Sequence, residues 1–168
     1  LSLLLSMLCL FMPIPLGAKV IERCKTLTPE IRKAHFYYFG VDFPYWYSVA
    51  QAEKESQCRH SILSTDGIGS EGFAQISYSL WRDKLNKAGI PEIKSIPNHA
   101  RTQAYINYYY HLQNPCQMWG TYQAYNGGEL VFKEMRKAHS CGWEDAKRVC
   151  RRKDVCVWKI STGCRQWR

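Results

Sequence analysis

The succession of helix signals along the chain constrains its fold more than any other feature. Six segments carry apolar residues at helical spacing, or begin and end with residues typical of helix termini. They cover residues 28–38, 42–56, 72–88, 98–113, 116–126 and 130–138. No two segments show the alternating pattern of neighbouring strands. The sequence therefore predicts an all-α, or mainly α, domain of five or six short helices.

Two of these helices are predicted from particular residues. Thr28 precedes Pro29, and a threonine N-cap before a proline at the first helical position is a common start of a helix. We therefore expect a helix to begin at Thr28. In residues 72–88, apolar side chains recur at helical spacing, namely Phe73, Ile76, Leu80, Trp81 and Leu85. Gly89 and Pro91 follow, which predicts one continuous helix over this segment.

Residues 1–18 carry no charged side chain and are mostly apolar. Their length matches the apolar core of a signal peptide and is short for a membrane span. Pro13 and Pro15 interrupt the segment, and Gly17 and Ala18 offer small residues to a signal peptidase. We predict a signal peptide, with a retained membrane anchor as the alternative. Both indicate an exported protein that is periplasmic, associated with the cell envelope or extracellular.

Most of the positive charge lies near the C-terminus. The chain of 168 residues has a net charge of +9, of which +7 falls in residues 133–168. We separate a Cys-rich basic tail, residues 140–168, from a domain over residues 19–139. Basic segments are attracted to anionic surfaces, so we expect the tail to attach to the cell wall or to a membrane surface. Without a helix-turn-helix or zinc-finger context, we expect no nucleic acid partner.

Eight cysteines in a chain of this length indicate an oxidising compartment or a metal site. The four in the tail are separated by eight, five and seven residues, whereas zinc ligands usually come in tighter pairs. We therefore predict disulfides in an exported protein, and neither a metal nor another cofactor. Their connectivity stays open. Cleavage after Ala18 leaves seven cysteines, an odd number.

The strongest functional signal combines three short motifs. Residues 55–56 are Glu-Ser, and Ser64 follows nine positions after the glutamate. A Gly-rich loop then leads to residues 72–76 (GFAQI), and residues 124–128 (AYNGG) come later in the chain. In order and spacing, these motifs resemble the soluble lytic transglycosylases and the related goose-type lysozymes. The resemblance covers about half the chain and implies a lysozyme-like domain.

The resemblance also implies an activity, that of a bacterial or bacteriophage enzyme that degrades peptidoglycan. Such an enzyme cleaves the β-1,4 bond between N-acetylmuramic acid and N-acetylglucosamine. Glu55 is implied to act first as an acid and then as a base, which yields a 1,6-anhydro product. Ser64 is implied to position the acetamido group, Gln75 to line the cleft and hold its loop, and Tyr125 to orient the acid or the sugar. Asn126 is either a substrate contact or a helix-end residue.

A general acid that works near neutral pH needs a raised pKa. Glu55 lies near the end of a predicted helix, where the helix dipole is negative, and burial among aromatic side chains would raise its pKa further. We therefore predict a raised pKa for Glu55. Glu71 and Asp66 are candidates for a second carboxylate, which would favour hydrolysis. The alternatives to a transglycosylase are a muramidase that uses water and a non-catalytic wall-binding or secretion-apparatus subunit.

Overall fold

The computed structural model describes residues 16–65, 67–114, 118–129 and 132. Within them the chain forms five helices and one two-stranded sheet. The helices are α1 (Leu16–Phe39), α2 (Trp46–Ser56), α3 (Tyr78–Lys87), α4 (Ile96–Gln113) and α5 (Met118–Gly127), and the strands are β1 (Ser70–Glu71) and β2 (Ile76–Ser77). This architecture confirms the prediction of a mainly helical domain.

Helix α1 differs from its prediction. It is continuous from Leu16, so the predicted start at Thr28 is wrong, and Pro29 lies inside the helix. The Thr28 hydroxyl donates to the Cys24 carbonyl at 2.8 Å instead of capping a helix start. A proline inside a helix costs about 3 kcal/mol because it lacks an N–H. Helix α1 tolerates it because the stripe that includes Cys24 and Ile31 is fully buried, mainly against α4.

A disulfide between Cys24 and Cys58 joins α1 to the chain just after α2. Both cysteines are buried, and the Cys58 N–H donates to the Ala52 carbonyl at 3.1 Å. The two cysteines are 34 residues apart. A cross-link over that distance lowers the entropy of the unfolded chain, which raises the free energy of unfolding by about 4 kcal/mol. The bridge therefore anchors the C-terminal end of α2. The other six cysteines lie outside the described residues.

The segment predicted as one helix over residues 72–88 begins instead with a hairpin. Strands β1 and β2 pair antiparallel, with Glu71 opposite Ile76, so the expectation of no strand pair is wrong as well. The turn between them holds Gly72 at a φ of +73° and Gln75 at a φ of +48°. A right-handed helix does not allow this left-handed backbone. Helix α3 therefore begins only after β2.

A buried network of hydrogen bonds links α1, α2 and α4. The Gln51 Oε1 atom of α2 accepts from the side-chain amides of Gln103 and Asn107 of α4, both at 2.9 Å. The Asn107 amide also donates to the His35 ring of α1 at 3.3 Å. All four side chains are fully buried. Because water cannot replace these bonds, they fix how α2 sits against its neighbours.

Helices α4 and α5 lie close to their predicted positions. Helix α4 ends at Gln113 as predicted but starts two residues before Asn98, directly after its N-cap Ser95. The Glu92 carboxylate accepts from the Ser95 hydroxyl at 2.7 Å and from the Asn98 amide. These bonds, the Ser95 hydroxyl foremost, lower the pKa of Glu92 to about 2. Helix α5 ends at Gly127, one residue beyond its predicted end.

Three predictions fall on residues that the structure does not describe. These are the tail over residues 140–168, the helix over residues 130–138 apart from Phe132, and the leader over residues 1–18 up to the start of α1. Across the described ranges, no helix combines the length and the apolar character needed to cross a membrane.

Candidate active site

Glu55 lies in the last turn of α2, one residue before the helix ends. Gln57 follows in a left-handed conformation at a φ of 56°, and its N–H closes the helix on the Glu53 carbonyl at 2.8 Å. Burial raises the pKa of Glu55 to about 7, and the charge of the adjacent Lys54 partly opposes this rise. The raised pKa was predicted from the sequence. Glu55 can therefore hold a proton near neutral pH, as an acid catalyst must.

Glu55 lines a cleft of about 390 Å³. Five residues singled out in the sequence line this cleft, and they come from four separate parts of the chain: Glu55, Ser64, Gln75, Tyr125 and Asn126. The volume falls within the range of clefts that bind small molecules or parts of polymers. The structure thus brings the five side chains to one place, while their roles in catalysis remain predictions.

Backbone and side-chain hydrogen bonds place Ser64 and Gln75 on the cleft wall. The Ser64 N–H donates to the Ser70 carbonyl at 2.7 Å, and the Gly72 N–H donates to the Ile62 carbonyl at 2.8 Å. The loop before β1 is therefore tied to the hairpin. The Gln75 side-chain amide donates to the Gly72 carbonyl at 2.9 Å. Gln75 thus bonds across its own turn while its side chain lines the cleft.

Tyr125 lies near the end of α5 and reaches across to the hairpin. Its hydroxyl donates to the Ala74 carbonyl at 2.8 Å. Burial raises the pKa of Tyr125 well above its ordinary value, and the charge of Glu55 raises it further. Tyr125 is therefore a neutral hydroxyl that bonds to the turn of the hairpin and lines the same cleft as Glu55.

Asn126 is exposed at the cleft, one residue before α5 ends. Its sequence position left open whether it serves the end of the helix or the substrate. The end of α5 is closed by the backbone, where the Gly128 N–H donates to the Ala124 carbonyl at 2.7 Å. The Asn126 side chain is not needed for that closure, and its contact with substrate stays a prediction.

Among the described residues that line the cleft, Glu55 carries the only carboxyl group. Glu71, one of the two candidates for a second carboxylate, lines a different cavity of about 220 Å³ together with His60 and Lys94. The other candidate, Asp66, lies outside the described residues. The described part of the cleft therefore offers one acid and no carboxylate facing it.

Sequence patterns missed the apolar lining of the cleft, which includes Ile68, Leu80, Trp81 and Ile106. Helical spacing identified Leu80 and Trp81 only as members of an apolar stripe, and Leu80 is 69% exposed. The Trp81 ring packs edge-on against the rings of Tyr109 and Tyr110, with centroids 5.3 and 5.6 Å apart. A tryptophan shortly after the GFAQI motif was the available signal, because aromatic faces pack well against sugar rings.

The mainly helical fold with its cleft is compatible with a lysozyme-like domain. The chain is similar to the lysozyme C of Scophthalmus maximus, with 34% identity over 77 residues. The match covers 46% of this chain and 53% of that protein, so the chain spans about half the length of the curated relative that it matches. No family model and no solved structure matches the chain. The similarity supports a lysozyme-like family relationship.

Proposed function

We propose that this protein is a peptidoglycan lytic transglycosylase, a lysozyme-like glycosidase that cleaves the β-1,4 bond between N-acetylmuramic acid and N-acetylglucosamine. The observation that carries the proposal is the Glu55 carboxyl, which lines the cleft and whose pKa is raised to about 7 by burial. The similarity to a lysozyme C supports the broader assignment to the glycosidases.

In the proposed mechanism Glu55 transfers protons twice. Its carboxyl first donates a proton to the bridging oxygen, and the bond from that oxygen to C1 breaks while the acetamido oxygen of the same sugar bonds to C1. The Glu55 carboxylate then accepts the proton of the C6 hydroxyl, whose oxygen displaces the acetamido oxygen at C1. The product is a 1,6-anhydro sugar. Glu55 ends protonated, and no water is consumed.

The single carboxyl group favours this route over hydrolysis. Most glycosidases use a pair of carboxylates, whereas a substrate-assisted route needs one because the acetamido group does the work of the second. In the described part of the cleft no carboxylate faces Glu55. The similarity to a lysozyme C favours a second candidate, a muramidase that uses water. That enzyme would need a further acid, for which Asp66 is the remaining candidate.

The other cleft residues are assigned roles that fit their surroundings. Ser64 positions the acetamido group, and Gln75 contacts the sugar while its amide holds the turn. Tyr125, which lines the same cleft, orients Glu55. Asn126 contacts the sugar from the exposed side. All four act on binding and orientation, so their truncation should cost less activity than loss of the acid.

We place this reaction outside the cytoplasm, in the periplasm, at the cell envelope or in the extracellular medium. The uncharged residues 1–18 and the eight cysteines support export. The basic tail over residues 140–168 attaches the enzyme to the anionic cell wall or to a membrane surface. Peptidoglycan strands are the partner of the cleft, and nucleic acid is not a partner.

Mass spectrometry of digested peptidoglycan tests the proposed reaction. Purified sacculi incubated with the full-length protein should release muropeptides that end in 1,6-anhydro-N-acetylmuramic acid. These fragments are 18 Da lighter, roughly the mass of one water, than their hydrolytic counterparts, because no water enters the product. Fragments with reducing ends would identify the muramidase. If no fragments are released, the non-catalytic wall-binding subunit is the correct function.

The pH dependence of cleavage should show one descending limb on the alkaline side. Glu55 must be protonated to act, so kcat/KM is expected to be constant between about pH 5 and pH 7 and to fall about tenfold per pH unit above pH 7. The charge of Lys54 lowers the pKa of Glu55, so Lys54→Met should move the limb to higher pH. Lys25→Met, at an exposed site on α1, is the matched control. A limb near pH 4.5 would contradict the assignment.

A further inference from the structure

The turn of the hairpin is held from behind by a histidine. His99 of α4 is fully buried, and its Nε2 atom lies 3.2 Å from the Ala74 N–H. Its ring packs on the Phe73 ring with centroids 4.4 Å apart. A Cβ at Gly72 would lie 2.2 Å from the His99 Cε1 atom, so the ring occupies the space beside the turn that a side chain would need. His99 and the turn are thus in direct contact at three successive residues.

Hydrogen bonding fixes the protonation of this ring. The Nδ1 atom lies 2.9 Å from the Ile93 carbonyl, which can only accept, so Nδ1 carries the proton. Nε2 is then an acceptor and receives the bond from the Ala74 N–H. Burial, the largest influence, lowers the pKa of His99 to about 4, which keeps the ring in this neutral form near pH 7. Four titratable groups lie near His99 on other segments, namely His60, Glu71, Glu92 and Lys94.

The other side of the same residue bonds to Tyr125, which lines the cleft together with Glu55. The Ala74 carbonyl accepts the Tyr125 hydroxyl at 2.8 Å. The peptide groups before and after Ala74 are therefore each fixed by one side chain, the first by His99 and the second by Tyr125. Gln75, which follows directly, lines the cleft in a left-handed conformation at a φ of 48°. A shift of this turn would displace both Gln75 and the partner of Tyr125.

We propose that His99 is a positioning residue of the cleft: by accepting the Ala74 N–H it sets the turn that places Gln75 and anchors Tyr125 beside Glu55. The proposal rests on the proposed function for its effect on catalysis. His99 does not line the cleft and takes no part in proton transfer. The positioning role of His99 requires a hydrogen-bond acceptor at the position of Nε2. A side chain that only filled the core would not need one.

Two variants separate the acceptor from the ring. His99→Gln loses the ring but places Oε1 where Nε2 accepts from Ala74, whereas His99→Asn is too short to reach it. Cleavage of peptidoglycan by H99N should fall about 10- to 100-fold, as misplacement of a catalytic group by about 1 Å does. The rate of cleavage by H99Q should stay within about threefold of the rate of the unsubstituted protein. Similar melting temperatures of the two variants would show that loss of the ring affects both equally.

A double variant tests the path through Ala74. Tyr125→Phe removes the hydroxyl that bonds to the Ala74 carbonyl but keeps the ring. Because both side chains act on the same turn, H99N and Y125F together should lose at most about threefold more activity than the worse single variant. If the fold loss of activity in the double variant equals the product of the two single losses, the proposal is contradicted. An H99N protein as active as H99Q also contradicts it.

A pH profile keeps the proposal testable should H99N fail to fold. Protonation of Nε2 removes the acceptor, so the unsubstituted protein should lose activity as the pH falls through about 4, the pKa of His99. Glutamine does not titrate, so H99Q should lack this acid limb. The buried His35 also has a pKa of about 4, and it is present in both proteins. An identical acid limb in both would assign the loss to His35 and overturn the proposal.

The role of His99 can also be tested independently of catalysis. The amide resonances of Ala74 and Gln75, read from ¹H–¹⁵N spectra, should move in H99N and stay near their original positions in H99Q. Release of no fragments by the unsubstituted protein would defeat the proposed function without affecting this measurement. Unmoved Gln75 resonances in a folded H99N protein would defeat the positioning role.

Discussion

Glu55→Gln is expected to lower the rate of peptidoglycan cleavage by about 10²- to 10⁴-fold, the usual contribution of a general acid. The amide has nearly the size of the carboxyl but has no acidic proton to donate to the bridging oxygen. In the described part of the cleft no other carboxyl group can replace it. Release of soluble muropeptides from sacculi, measured over time at pH 6, gives the rates of both proteins.

Glu53→Gln is the matched control for this substitution. Glu53 lies on the same helix two residues earlier, and it does not line the cleft. The same chemical change there should leave the rate within about twofold. Equal losses in the two variants, or full activity in the Glu55→Gln protein, would show that Glu55 is not the acid.

Stability separates loss of chemistry from loss of fold. The folded-state pKa of Glu55 is raised from 4.5 to about 7, so the group favours folding below pH 4.5 relative to higher pH, and that advantage is lost as the pH rises through 7. Above that pH the folded protein carries a desolvated carboxylate. Glu55→Gln should therefore stabilise the protein at pH 8 by at most about 3 kcal/mol and have little effect near pH 4.

The helices that local signals predicted well are those whose ends are set by local chemistry. Helix α4 has Pro97 in its first turn, and the predicted helix over residues 116–126 ends close to the actual end of α5, where Gly128 has a φ of +67°. These residues restrict the backbone whatever surrounds them. Helix α2 also ends at Ser56 as predicted.

The two largest errors in secondary structure have one cause, because distant contacts overrode local patterns. Helix α1 continues through Pro29 because its apolar stripe is buried against α4 and its Cys24 is bonded to a cysteine 34 residues away. The helical spacing of Phe73 and Ile76 was real, but the left-handed Gln75 between them breaks the helix. A non-glycine residue in that conformation is not visible in a single sequence.

For the candidate site, motif spacing predicted which residues would line the cleft. It did not predict which contacts keep them there. Glu55, Ser64, Gln75, Tyr125 and Asn126 line one cleft. His99 gave no sequence signal, since a lone histidine in a helix is most often a core residue. Its meaning depends on the 3.2 Å contact with Ala74, across 25 positions of the chain. Packing of that kind is a property of the folded chain alone.

Gly72→Ala is expected to be the most destabilising single substitution at the hairpin, by about 3–5 kcal/mol. Two costs add. An alanine at a φ of +73° pays about 1–2 kcal/mol of backbone strain. Its Cβ would also lie 2.2 Å from the buried His99 ring, and relief of that overlap requires His99 to leave Phe73 and Ala74. Chemical denaturation followed by circular dichroism measures the loss.

Gly89→Ala measures the first cost, the backbone strain, by itself. Gly89 has nearly the same backbone conformation, at a φ of +70°, and its added Cβ would have no atom within 4 Å among the described residues. It should therefore lose only the strain energy of about 1–2 kcal/mol. The difference in the free energy of unfolding between the two variants measures the contact between His99 and the turn.

Because the turn carries Gln75 and the acceptor of Tyr125, Gly72→Ala should also lower cleavage by the molecules that remain folded, whereas Gly89→Ala should not. Equal losses of stability in the two variants would mean that the hairpin accommodates the added Cβ at Gly72 without displacing His99.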